Sequence, residues 1–325
     1  MVVMRAIQVR EFGGPEVLVP AEVPGPVAGP GQVVVGLAVA DVIYLDTLLR
    51  SGWGKDLFPL QLPYVPGGGG VGHVLSVGEG VDPAWTGRHV AARTAGGYAE
   101  RIAVAVEEIV QVPEALGSAE AAAVLHDGVT ALRLARQANI GEGQWVLVTA
   151  AAGGAGSLLV QLVRDAGARV VAAARGARKL ALARELGAEI AVDYSERGWQ
   201  HRVREAVGGA GVELAFDGAG GDLGEAAFQA VAEGGRFLTY GTSSGKVTRV
   251  GPRAAEQRKV PVTNMLEAGP PDKTTLRELL TEALVLAAQR RIRPVIGATY
   301  PLERARDAHT SLAERTTVGK SLLLV

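Results

Sequence analysis

Hydrophobic and polar positions change rhythm along this chain near residue 126. Before it the apolar runs are short, at 4–9, 32–40, 72–77, 89–92 and 100–104, with Pro- and Gly-rich linkers at 24–31 and 63–70. Short runs bounded by turn residues predict strands, and their close succession predicts a mostly antiparallel β domain. Beyond it, apolar runs at 145–150, 169–174, 190–194, 212–219, 236–241 and 260–266 recur at intervals of roughly 21–24 residues. Amphipathic stretches at 157–166, 179–186, 199–207 and 223–232 lie between them. Near-continuous apolar strands alternating with helices predict a parallel sheet covered on both faces. Six such strands predict a doubly wound dinucleotide-binding domain. A helix at 273–290, an extended piece at 294–300, a helix at 302–314 and a strand at 321–325 follow. That last strand has no sheet of its own, so it is expected to return to the first domain. The expected organisation is a β domain of residues 1–125 and 268–325 with a nucleotide-binding domain, 126–267, inserted in it.

Composition narrows the chemistry. The 325 residues suffice for two domains. A net charge of −1 gives no global field to recruit nucleic acid or an anionic membrane, so neither is expected as a partner. The chain has no cysteine, which excludes disulfides, thiolate metal sites and a cysteine nucleophile. No apolar run reaches the ~18 residues of a membrane span, and the default expectation is a cytoplasmic protein.

The strongest chemical signal is Trp145-Val146-Leu147-Val148-Thr149 running into Ala150-Ala151-Ala152-Gly153-Gly154-Ala155-Gly156. A buried-type strand here ends in a Gly-rich turn that opens a helix, the context in which a GxGxxG-like motif acquires meaning. Ala151 takes the first glycine slot. Gly153 lets backbone approach a pyrophosphate, Gly156 lets the helix pack on the strand, and the helix N-terminus favours phosphate. An NAD site would carry an acidic residue about 20 positions on. The second strand ends instead in Ala174-Arg175, with Arg178 and Lys179 after it. Cations there fit a 2′-phosphate and favour NADPH. Tyr194 closes the third strand on the adenine side. The small polar loop Tyr240-Gly241-Thr242-Ser243-Ser244-Gly245 closes the fifth on the nicotinamide side.

These segments resemble the zinc-free quinone oxidoreductase (ζ-crystallin-like) branch of the medium-chain dehydrogenase/reductase superfamily. The resemblance covers essentially the whole chain. It rests on Phe12-Gly13-Gly14-Pro15-Glu16-Val17-Leu18, Leu45-Asp46-Thr47-x-x-Arg50-Ser51-Gly52, Pro66-Gly67-x-Gly69-Gly70-Val71-Gly72 and His126-Asp127-Gly128-Val129-Thr130-Ala131. The Gly-rich turn, the 240–245 loop and the tail Arg315-Thr316-Thr317-Val318-Gly319-Lys320-Ser321-Leu322 complete it. The resemblance implies an α/β protein with a GroES-like, mostly β catalytic domain and a six-stranded Rossmann domain, NADPH, and a homodimer. It implies cofactor contacts at Thr130, Ala152, Gly153, Gly154, Arg175, Lys179, Tyr194, Tyr240, Gly241, Thr242, Ser243, Ser244 and Arg315. Ala155 falls within the same turn, and Asp46 is expected to orient the cofactor.

Departures from the family bear on the substrate. Zinc alcohol dehydrogenases of the superfamily need cysteine ligands, and the five histidines show no ligand spacing, so no metal is expected. Ile43 stands where the branch usually has Asn, Leu48 where it has Tyr, and Gly69 where it has Glu. The pocket is therefore expected to be roomier and more apolar than usual. The nicotinamide is expected in the cleft between the domains, passing hydride to a small electrophile, a quinone or an α,β-unsaturated carbonyl. Tyr44, Tyr64 and Asp127 are the candidate proton donors for the second class, Asp127 being also a candidate helix cap. Two other readings fit: an enoyl reductase dedicated to a polyketide-like intermediate, and an NADPH-binding protein of weak activity.

Overall fold

The computed structural model describes residues 3–54 and 59–325. By its internal contacts the chain divides into one unit of Met1–Val129, Asp272–Arg290 and Pro294–Val325, and a second of Thr130–Pro271 and Arg291–Arg293. In the first unit, β1 (Val3–Gln8) and β2 (Val19–Pro24) form an antiparallel pair. The β-branched stretch of β3 (Gln32–Val42) suits a pleated, buried surface and alternates little, because most of its side chains are buried. It runs almost directly into α1 (Tyr44–Arg50). Strands β4 (Gly69–Val77), β5 (His89–Arg93), β6 (Arg101–Ala105) and β7 (Ile109–Gln111) follow. Next come α2 (Ser118–Val124) and α3 (Asp127–Ala138). The strand pattern did not announce α2; its signals are the alanine run and Glu120, which accepts the Gly117 N–H and closes a capping box.

The second unit continues with β8 (Trp145–Thr149), α4 (Gly154–Asp165), β9 (Arg169–Ala174), α5 (Ala177–Glu185), β10 (Ile190–Asp193), α6 (Trp199–Ala206), β11 (Val212–Asp217), α7 (Gly221–Ala230), β12 (Val231–Thr239), α8 (Pro252–Gln257) and β13 (Val262–Asn264). The sheet order is β10-β9-β8-β11-β12-β13, every neighbouring pair parallel. This is the doubly wound order in which ligands bind beyond the carboxyl ends of the strands. Leu147, Val171, Val203, Phe228 and Phe237 share its core. Two boundaries differ instructively from the sequence pattern. Helix α4 starts at Gly154, so the glycines belong to its first turn. Strand β11 stops at Asp217, whose carboxylate takes the N–H groups of Ala219 and Gly220 and turns the chain.

The C-terminal stretch supplies α9 (Lys273–Ala288), β14 (Ile296–Pro301), α10 (Ala305–Ala313) and β15 (Lys320–Leu324). Strand β15 returns to the first unit, antiparallel to β3 and parallel to β14. The resulting sheet runs β14-β15-β3-β4-β5-β7, with β6 also paired to β3. Leu322 and Leu323 of β15 are fully buried in it.

Candidate functional site

In the second unit the sequence-marked residues collect on one edge. Gly153, Gly154 and Ala155 follow β8, Arg175 follows β9, Tyr194 follows β10, and Tyr240, Gly241, Thr242, Ser243 and Ser244 follow β12. Since the strands are parallel, all of these lie past the same carboxyl edge. Lys179 sits in the first turns of α5, and Thr130 on α3. The N-cap of α4 is Gly153, which offers no capping side chain, so the first-turn N–H groups suit an external anion. A Cβ on Gly156 would stand 2.3 Å from the Ala150 carbonyl oxygen; only glycine lets α4 approach the turn this closely. Ala152 is buried beneath that turn. The cradle thus fits a dinucleotide pyrophosphate.

The tip of β9 carries no carboxylate, and Arg175 there is exposed. An acid from β10 interacts electrostatically with Arg175. Asp193 accepts the Gly176 N–H at 2.8 Å and both the N–H and hydroxyl of Ser195, at 2.9 and 2.6 Å. It thereby fixes the turn that carries Arg175. Tyr194 packs edge-on against Trp199, ring centroids 6.2 Å apart.

A hub that the sequence reading missed fixes the other half of the edge. Asp217 is fully buried. Its carboxylate accepts hydrogen bonds from the hydroxyls of Thr149 (2.7 Å), Thr239 (3.2 Å) and Thr248, besides the two backbone groups named above. Thr149 in turn accepts from the Gly218 N–H at 3.0 Å. The 240–245 loop is pinned to the loop after β11 by Tyr240 N–H to the Asp217 carbonyl (2.9 Å) and Ser244 N–H to the Ala219 carbonyl (2.7 Å). The signal was an acid ending an apolar strand.

In the first unit the candidates separate. Asp46 is buried, and its carboxylate accepts the Ile43 N–H at 3.0 Å and the Tyr98 hydroxyl at 3.0 Å. Tyr98 also meets His309 Nε2 at 2.9 Å. Asp46 therefore braces α1 from within. Burial pushes its carboxyl up to about 6, against the Ile43 hydrogen bond and with help from Asp41. Tyr64 is no open donor: its hydroxyl is buried without a hydrogen-bond partner among the described residues, and burial pushes the phenol up to about 12. Tyr44, half-buried at the start of α1, is raised by burial and lowered by the charge of Arg315. Arg315 takes a left-handed φ of 59° just after α10. Asp127 does not cap a helix beginning at Val129; it opens α3 itself and its Oδ2 pairs with Lys320 Nζ at 3.0 Å.

Position 69, expected to enlarge the pocket, has no room for a side chain. Gly69 adopts φ 131°, and a Cβ there would lie 2.1 Å from the Ala92 carbonyl oxygen. The space a glutamate would need is filled by the backbone of β5. Beside it stands a charged set absent from the sequence reading: Asp41 Oδ2 contacts His126 Nδ1 at 2.9 Å and Lys320 Nζ at 3.1 Å. Burial raises the Asp41 carboxyl, but His126 and Lys320 outweigh it and hold the group well below the ordinary range. Among the described residues no group of three or more His, Cys, Asp and Glu is placed to hold a metal ion, and no helix is long and apolar enough to cross a membrane.

Comparison with known proteins covers both units. The family described as alcohol dehydrogenase GroES-like domain matches residues 29–114, and the one described as zinc-binding dehydrogenase matches residues 154–282. A quinone oxidoreductase of Pseudomonas aeruginosa is 33% identical over 98% of this chain and 99% of its own length. A 2-haloacrylate reductase of a Burkholderia species is 29% identical over 99% of each. The crystal structure of Escherichia coli quinone oxidoreductase complexed with NADPH superposes with a TM-score of 0.91 at 29% identity, over 99% of this chain and all of that one.

Proposed function

Because the chain belongs to the quinone oxidoreductase branch of the medium-chain dehydrogenase/reductase superfamily, we propose that it is an NADPH-dependent, zinc-independent reductase of quinones and activated α,β-unsaturated carbonyls. The observation that carries this reading is the pairing of the α4 N-terminus with Arg175 at a β9 tip that lacks a carboxylate. The first holds the pyrophosphate and the second the 2′-phosphate. Bound NADPH supplies a hydride, and the protein's part is to align it and exclude side reactions. Asp193 and Asp217 keep the two ends of the carboxyl edge in place. The 2-haloacrylate reductase relative acts on an activated alkene, which supports the alkene branch of the reading. The reading includes a cytoplasmic location and a homodimer joined through β13, the strand at the edge of its sheet.

Initial rates of NADPH oxidation with a small panel of quinones, aliphatic enones and an aryl enone test this. Turnover with NADPH, and far less with NADH, is the expected result. NADPH binding without turnover of any acceptor would overturn it in favour of a dedicated substrate or a weakly catalytic protein.

A further inference from the structure

Strands β5 and β7, the residues just before β7, and the first half of α9 enclose a cavity, and all of them belong to the first unit. Its volume is about 60 Å³. At roughly 10–15 Å³ per water, that is room for about four to six waters, or for a small organic acid of as many heavy atoms. The polar lining is Arg93, Glu108, Lys273 and Arg277, and the apolar lining is Val110, Leu276 and Leu280. Residues 273, 276, 277 and 280 recur at the spacing that puts them on one face of α9.

Arg93 is the unusual member of this set. It ends β5, opposite Gly69 of β4, and is half-buried. Its Nη1 is sealed from solvent, and the guanidinium makes no hydrogen bond or ion pair among the described residues. Burial works against the Arg93 charge and Asp41 favours it. Asp41 is already contacted by Lys320 at 3.1 Å and His126 at 2.9 Å. An arginine does not shed its proton, so the desolvated charge stays, and an anion in the cavity would offset its cost. The other two cations differ. Lys273 is shared by Glu107 and Glu108, at 3.5 and 3.3 Å. Arg277, one turn further along α9 and exposed, makes no hydrogen bond or ion pair among the described residues. Two guanidinium groups without an acid partner therefore line one small, partly apolar space.

We propose that this cavity binds a short monocarboxylate, its carboxylate drawn by Arg93 and Arg277 and its alkyl chain lying against Val110, Leu276 and Leu280. Three features select that class. A guanidinium fork matches the two oxygens of a carboxylate. Glu108 in the lining repels a second negative charge, which disfavours a dianion such as phosphate. The aliphatic residues reward an alkyl chain, which chloride lacks. The volume limits that chain to about two to four carbons in all. The site draws on nothing in the dinucleotide edge, whose residues belong to the second unit.

The test is calorimetric titration of sodium propionate into the full-length protein with NADPH bound, with the melting temperature as a second readout. Sodium chloride at the same ionic strength, inorganic phosphate and the uncharged 1-propanol are the comparison probes. Propionate should bind saturably and raise the melting temperature, and the three comparison probes should do neither. Arg93→Met keeps the aliphatic stem and removes the fork; it should weaken propionate by about tenfold or more. Arg277→Gln, at an exposed position, should weaken it by about two- to threefold. NADPH affinity serves as the folding control for both. If Arg93→Met does not fold, Leu276→Trp takes its place: it fills the cavity, leaves every cation in position and should abolish propionate binding. Three results would each overturn the proposal: no saturable propionate binding by the wild type, equal binding of chloride or phosphate, or propionate binding unchanged in a folded Arg93→Met or Leu276→Trp variant. The reductase reading is tested by turnover and stands or falls apart from these outcomes.

Discussion

Arg175 shows how much one side chain decides. It follows a strand tip where a carboxylate would hold ribose hydroxyls and repel a phosphate. Replacing Arg175 and Lys179 by Ala should weaken NADPH by about 10- to 100-fold, near 1.4 kcal/mol per tenfold, and NADH by less than threefold. Fluorescence titration reads both, and equal losses would remove the phosphate clamp from the account. His309 makes a different kind of prediction. Burial, with the charge of Arg50, holds its imidazole down at about 3, from 6.5. Between those values the unfolded chain binds a proton that the folded chain does not, so stability falls as pH drops through that window. Asp46, raised by burial to about 6, acts in the opposite sense: its contribution is present at low pH and lost as pH rises from about 4 to 6. The comparison that isolates His309 is with His309→Gln, which keeps a donor for Tyr98 but does not titrate. Urea unfolding should show the variant losing less stability than the wild type between pH 7 and pH 4, by on the order of 3 kcal/mol. Parallel losses would place the acid sensitivity elsewhere.

At the scale of elements, the β8–α4 junction and the Asp217 hub carry the dinucleotide edge. A side chain at position 156 meets the Ala150 carbonyl, so Gly156→Val must push α4 off its strand. It should abolish NADPH binding and lower the melting temperature together, since the same contact serves both. Asp217→Asn puts an amide nitrogen among hydroxyl and N–H donors and strands at least one of them. The expected cost is about 2–3 kcal/mol in chemical denaturation, with NADPH affinity weakened through the freed 240–245 loop. Unchanged denaturation would show that the loop holds itself. The elements themselves were legible because apolar runs bounded by glycines leave little choice of strand position. The Gly153 turn was legible because its chemistry is local. Asp217 was not, because its partners, Thr149, Thr239 and Thr248, come from three other segments that only the sheet order brings together.

For the whole molecule, β15 is the closing piece. It lies between β3 and β14, buries Leu322 and Leu323, and carries Lys320 to the Asp41 carboxylate. Truncation after Gly319 would take Lys320 from that carboxylate and remove two core leucines, each worth about 2–5 kcal/mol. The first unit should lose its cooperative melting transition, measured by calorimetry; a transition within a few degrees of wild type would show β15 to be dispensable.

The chain's sequence by itself determined its fold class, a mostly β region followed by a doubly wound parallel sheet, and the Gly-rich turn that opens α4. Those features follow from periodicity and from motifs whose residues are neighbours along the chain. What only the tertiary structure decided is the electrostatics around Asp41 in the first unit. Tyr64 and Asp127, candidate donors when read in line, have respectively a buried hydroxyl and an ion pair with Lys320. Charge and burial at those positions are set by β3, β5, β15 and α3 meeting in space. No local pattern encodes that meeting, because the energy of a charged group depends on what surrounds it rather than on what precedes it.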